Sequence, residues 1–220
     1  MSLENLKKVR LYFPGTLSVI LAAVYFFGGE INSIKDLFQN GSAISLTSAI
    51  ALVTIVLLGF SYNTLRLRDI IWSPLVHAVN ANIVTKLFSI AEIQNVRRLS
   101  DAQNKEILNS VFYPIVDNDN SLSIKSNIVK ENGVMTTCVI DTFILTLIFD
   151  IIWIVSSLIT HTKVNLLVIV VFIVTIVSIL LIYLRYKNHL CLSNEQLGVI
   201  RNNYRARCTE LITPFQRFLN

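Results

Sequence analysis

Apolar residues along this chain gather into four long runs instead of alternating or recurring at a helical period. The runs are Leu11–Gly28, Ala43–Tyr62, Cys138–Ile159 and Val164–Leu184, and only the third is interrupted by charge, at Asp141 and Asp150. A helix rises 1.5 Å per residue, so about 20 residues cross roughly 30 Å of hydrocarbon. The last three runs meet that length directly. The first is shorter and carries Pro14 and Gly15 at its start, which predicts a first-turn proline. The fourth run is rich in β-branched residues but too long for a strand. The pattern predicts an all-α integral membrane protein with about four transmembrane helices arranged as two hairpins.

Between and after the runs the pattern becomes amphipathic. Asn63 to Arg68 read as the second span continuing into water, and Ser73–Pro74 reset the helix. Leu75, Val79, Ile83 and Leu87 then recur at i+4, opposite His77, Asn80 and Lys86, which predicts a helix docked on the membrane surface or on a partner. Ser100 heads a further helix through about Phe112, ended by Pro114 and the Asp117–Asn120 turn. Residues 121–137 are weakly patterned and compatible with extended, helical or disordered chain. A Ser193-x-x-Gln196 capping box is expected to start a tail helix carrying Leu197, Ile200, Tyr204 and Leu211, followed by Pro214, Phe215, Phe218 and Leu219. The expected organisation is a transmembrane hairpin over 1–62, a small cytoplasmic helical module over 63–137, a second hairpin over 138–184 and a cytoplasmic C-terminal helix over 185–220. So small a module buries proportionally little surface, so its apolar faces predict docking or a homo-oligomer.

Composition agrees with the bilayer as solvent: 53% of residues are hydrophobic and 15% charged, where soluble domains carry about 25% charged residues. Charge sets the expected orientation. All but two of the 19 basic residues, Lys35 and Lys163, fall on one side of the four expected spans. By the positive-inside rule that side is the cytoplasm, so both termini are expected there, in a multi-pass protein of the bacterial inner membrane. Lys7, Lys8 and Arg10 precede the first run, but no small-residue cleavage site follows, and Tyr25–Phe26–Phe27 occupy its place. The run is read as an uncleaved anchor. Arg66/Arg68 and Arg185/Lys187 are expected against anionic headgroups. Arg97–Arg98 and Arg201, Arg205 and Arg207 are diluted by acids and lie in no nucleic-acid motif, so topology accounts for them better than direct nucleic-acid binding.

Candidate chemistry is confined to the third span. Asp150 lies near its centre, where a carboxylate costs about 2.5–3.5 kcal/mol. It is either part of an ion pathway or a protonated group bonded to a neighbouring helix, for instance to a hydroxyl of the second span. Asp141, near the cytoplasmic end, is the weaker candidate because headgroup water is within reach. Nine positions separate the two acids, about 180° around a helix, so they do not line one stripe. Ala43, Thr47 and Ala51, with Ser18 and Ala22, form small-residue stripes suited to close helix packing. Cys138, Cys191 and Cys208 have no paired spacing and read as reduced thiols. His77, His161 and His189 lack metal-ligand spacing, Ser156–Ser157 near His161 lack an orienting third group, and no nucleotide or hydrolase motif occurs. No enzymatic activity and no cofactor are expected.

In layout, from Lys7–Lys8–Val9–Arg10 to the arginine-rich tail, the chain resembles the small membrane effectors of bacterial anti-phage systems, closest to the retron type. The membrane subunit of the Kiwa defence system is similar in layout. The resemblance implies a partner, a reverse transcriptase with its RNA–DNA product, that restrains the effector until infection. It also implies a toxin-like action: disruption or depolarisation of the inner membrane and abortive infection. It assigns no residue a role. A non-lytic scaffold that recruits a soluble partner, and a small transporter or channel, are the competing readings.

Overall fold

Helix is the only regular structure in the computed structural model, which describes residues 3–27, 44–94, 99–160 and 166–218. The loop carrying Lys35, the Arg97–Arg98 pair, His161, Lys163 and Leu219 lie outside the described residues. In chain order the helices are α1 (Leu3–Phe27), α2 (Ile44–Thr64), α3 (Asp69–Ile90), α4 (Asp101–Ile107), a π-helical turn (Leu108–Phe112), α5 (Tyr113–Asp117), α6 (Asn120–Thr160), α7 (Leu166–Asn203), α8 (Arg205–Ile212) and a closing 3-10 turn (Thr213–Phe218). Two of these, α6 and α7, are long and apolar enough to cross a membrane. At 41 and 38 residues each measures about 60 Å, roughly twice the hydrocarbon thickness. Their apolar halves expose Ile151, Ile152, Leu158, Ile173, Ile176 and Leu180. A surface of that kind is stable in lipid and not in water.

Contacts divide the chain into two compact units: residues 1–70 with 134–183, and residues 71–133 with 184–220. In the first unit α1 and α2 approach through glycine. A Cβ on Gly15 would stand 1.9 Å from the Ile55 carbonyl oxygen, and one on Gly59 would stand 2.4 Å from that of Leu11. This is the small-residue contact that lets helix backbones meet in a membrane; of the expected stripe on the second run, Ala43 and the side chains of Thr47 and Ala51 lie outside the described residues. Ser18 and Ala22 line a groove of about 350 Å3 facing Leu145 and Phe149 of α6 instead. Pro14 is not in a first turn either. The chain is helical from Leu3, so Pro14 sits inside α1 and withholds the amide that would have bonded the Arg10 carbonyl. Asn63 Nδ2 and Arg68 Nη2 reach that carbonyl, each at 3.5 Å.

Helix α2 ends at Thr64 and does not run on to Arg68. Arg66 takes a left-handed conformation at φ 54°, and the turn closes with Asp69 N–H donating to the Arg66 carbonyl at 2.9 Å. Helix α3 therefore starts at Asp69, ahead of Ser73–Pro74.

The second unit has its own core. Val79, Ile83, Val84, Leu87 and Phe88 of α3 pack with Ile107, Val111 and Val116, and with Ile200, Cys208 and Ile212 from the tail. Full burial of each such side chain contributes about 1.5–3 kcal/mol. The apolar face of α3 is thus satisfied within the chain, where docking on a membrane or partner was expected. Ser100 caps α4 in a reciprocal capping box with Gln103. The following helix runs past the expected end at Phe112 to Asp117, because the π turn accommodates Pro114. The buried pairs 107/108, 111/112 and 115/116 recur four residues apart and so lie on one face. At the end of α3, Glu92 adopts φ 61°. Ile93 N–H donates to the Phe88 carbonyl at 3.0 Å and Glu92 N–H to that of Ser89 at 3.1 Å, a Schellman closure without glycine.

Residues 120–137 are helical, part of α6, with Leu122 fully buried and Asn132 meeting the Arg185 carbonyl and the Asn188 amide. Ser193 caps nothing. It lies inside α7, and its hydroxyl donates to the His189 carbonyl at 2.9 Å. The Cys208 thiol is free, directed at the Leu87 carbonyl, and pushed up to about 11 by burial.

Candidate functional site

Both acids of the third apolar run are buried, and they face different neighbours. Asp141 is 0% exposed and is held by Arg68, itself 5% exposed. Arg68 Nε donates to Asp141 Oδ1 at 2.7 Å and Nη2 to Oδ2 at 2.5 Å, a two-pronged pairing. Tyr62 adds its hydroxyl to Oδ1 at 2.9 Å. Three segments meet there: the end of α2 with its turn, α6, and α1 through the Arg10 carbonyl. The headgroup positions expected for Asp141 and Arg68 are both corrected by this geometry. The left-handed Arg66 bends the chain after α2, and Arg68 enters the helix packing while Arg66 stays exposed beside Asp69 at 2.7 Å.

Asp150 faces α7. It is 3% exposed, and Thr175 Oγ1 donates to its Oδ2 at 2.7 Å. One turn further along α6, Trp153 meets Phe172 edge-on with ring centres 6.5 Å apart, fixing the same antiparallel register. The hydroxyl partner thus comes from α7, not from the second run. Nearby buried hydroxyls are satisfied within their own helices, Thr146 by the Thr142 carbonyl and Ser178 by the Val174 carbonyl, each at 2.8 Å. Asp150 Oδ1 is different: it is buried and has no hydrogen-bond partner among the described residues. A buried polar atom left in that state costs about 1–3 kcal/mol.

The other candidates disperse. Ser156 Oγ shares a hydrogen bond with the Tyr25 hydroxyl at 2.6 Å. His77 lies between the Ser73 hydroxyl at 2.9 Å and Asp101 at 3.1 Å, and it is exposed. His189 is packed under Trp72, and burial holds its imidazole below the ordinary value. No group of three His, Cys, Asp or Glu converges among the described residues.

Tyr62 and Thr175 were not singled out by sequence, and Arg68 was placed at the headgroups instead of beside Asp141. A signal existed for two of them. Thr175 and Ser178 interrupt the apolar stretch Val168–Leu184, and Arg68 lies shortly after the end of one run while Asp141 lies near the start of the next. Compared with protein-family models, curated proteins and solved structures, the chain matches none.

Proposed function

We propose that this chain is a four-span protein of the bacterial inner membrane, with both termini in the cytoplasm, that dissipates the membrane's ion gradient. In this reading it is a defence effector of the retron type, restrained by a soluble partner and active as a homo-oligomer. Asp150 carries the proposal. Within the apolar half of an α6–α7 pair, a carboxyl group bonded through one oxygen to Thr175 keeps the other without a partner among the described residues, while the Thr146 and Ser178 hydroxyls are satisfied within their own helices. Intramembrane acids are costly and typically mark ion or proton routes. An oxygen with no protein partner is free to exchange a proton or meet a cation. One helix pair encloses no pore, so conduction needs further copies, and the apolar faces of α6 and α7 give them surface to pack.

The test is membrane potential, read by dye in cells expressing each variant and normalised to inserted protein. Asp150→Asn keeps the Thr175 contact and removes the charge, so it is expected to insert normally and to abolish depolarisation. Full depolarisation by Asp150→Asn would overturn the pathway role. A non-conducting scaffold is the second reading, supported by the second unit's own closed core. Overexpression separates the two: the effector arrests growth unless its partner is co-expressed, and the scaffold does not.

A further inference from the structure

Four cations on the second unit are neutralised in place. Lys125 pairs with Glu195 at 2.9 Å, Arg207 with Glu210 at 2.7 Å, Arg217 with Glu106 at 3.6 Å, and Arg205 with Glu92. Lys86 and Arg201 meet no carboxylate among the described residues, and both line one cleft of about 280 Å3 between α3 and α7. No acid lines that cleft. Two like charges converging on one concavity without an internal counter-ion form a site for an external anion.

The cleft is built rather than incidental. Lys86 Nζ donates to Asn194 Oδ1 at 2.7 Å, and Asn82 Nδ2 fixes the same oxygen at 3.1 Å. One of three ammonium donors is thereby spent on positioning, and two stay available. Ser89 adds a hydroxyl, while buried Ile90 and Leu197 form an apolar floor. At Gly198 a Cβ would meet nothing within 4 Å, so the α7 wall of the cleft is open to close approach at that position. The volume lies just below the roughly 300–1,000 Å3 typical of sites for drug-sized ligands. That suits a small anion better than an extended one. Arginine and lysine together supply the fork and point-charge contacts that tetrahedral oxyanions take.

We propose that this cleft binds a phosphate group, carried on a lipid headgroup with a terminal phosphate or on a soluble phosphate ester. The full chain in neutral detergent is titrated calorimetrically with inorganic phosphate and, separately, with dihexanoyl phosphatidate. Saturable binding is expected, weakening with salt. Arg201→Gln and Lys86→Gln should each reduce affinity roughly tenfold or more, the scale of one lost charge-assisted contact. Gly198→Trp keeps both charges and fills the cleft, so it should abolish binding even if Lys86→Gln fails to fold; circular dichroism confirms which variants are folded. Inorganic phosphate binding identifies a soluble ester as sufficient, and binding of phosphatidate alone identifies the headgroup. Absence of saturable binding by both probes overturns the proposal. So does binding that survives Arg201→Gln and Gly198→Trp, since that is adsorption elsewhere on the chain.

Discussion

Arg68 holds both carboxylate oxygens of Asp141, at 2.7 and 2.5 Å, with neither side chain open to solvent. The two residues are 73 positions apart, so the pairing ties the turn after α2 to α6. A buried ion pair contributes little against a well-packed apolar pair, but losing one partner strands a charge and costs about 3–5 kcal/mol. Asp141→Ala and Arg68→Ala are each expected to lose that much. The double variant Arg68→Met/Asp141→Leu should recover most of the loss. Thermal unfolding in detergent, followed by circular dichroism, measures all three; a double variant as damaged as the singles would contradict the stranded-charge account.

At the α1–α2 contact, Gly15→Ala places a methyl group against the Ile55 backbone oxygen, which has no rotamer to relieve it. Overpacking of this kind costs about 1–3 kcal/mol or more. Gly198→Ala, whose Cβ meets open space, should be neutral or slightly stabilising in the same unfolding assay.

Topology is read by reporter fusions. The proposed four spans place positions 35 and 162 in the periplasm and 120 and 220 in the cytoplasm. A cytoplasmic signal at position 35 would remove the first hairpin and leave α6 and α7 as the only spans.

Acid should destabilise the second unit in two separate windows. Burial lowers His189 in the folded chain, so its neutral ring favours folding above the ordinary histidine value. That contribution is lost as pH falls below about 6.5. Asp119, held at about 2 by the Ser121 and Tyr204 hydroxyls and the Leu122 amide, contributes above the ordinary carboxylate value. Its contribution disappears as pH falls from about 4 toward 2. Unfolding midpoints against pH should therefore lose the upper step in His189→Gln and the lower one in Asp119→Asn. A profile unchanged by either substitution would count against these linkages.

Hydropathy and local pattern were enough to show that the chain is helical, that two of its helices suit a bilayer, and where one cap and one apolar face lie. Those features are local or periodic: length and apolarity for α6 and α7, i+4 spacing for Val79, Ile83 and Leu87, and Ser100 three residues before Gln103. The same local rules misled at Ser193, because a cap pattern inside a continuous helix turns its hydroxyl back to His189. They misled again at Pro14, whose missing amide is tolerated where Asn63 and Arg68 reach the freed carbonyl. Which partners the acids take was set by packing between distant segments. Asp141 looked solvent-accessible because its depth in one helix says nothing of the turn that brings Arg68 beside it. Asp150 looked costly for the right physical reason, yet only packing against α7 fixed its partner as Thr175 and left Oδ1 without one. Burial and pairing belong to contacts between segments distant in sequence, and a hydropathy pattern records how a residue prefers to be solvated, not which neighbour replaces the solvent.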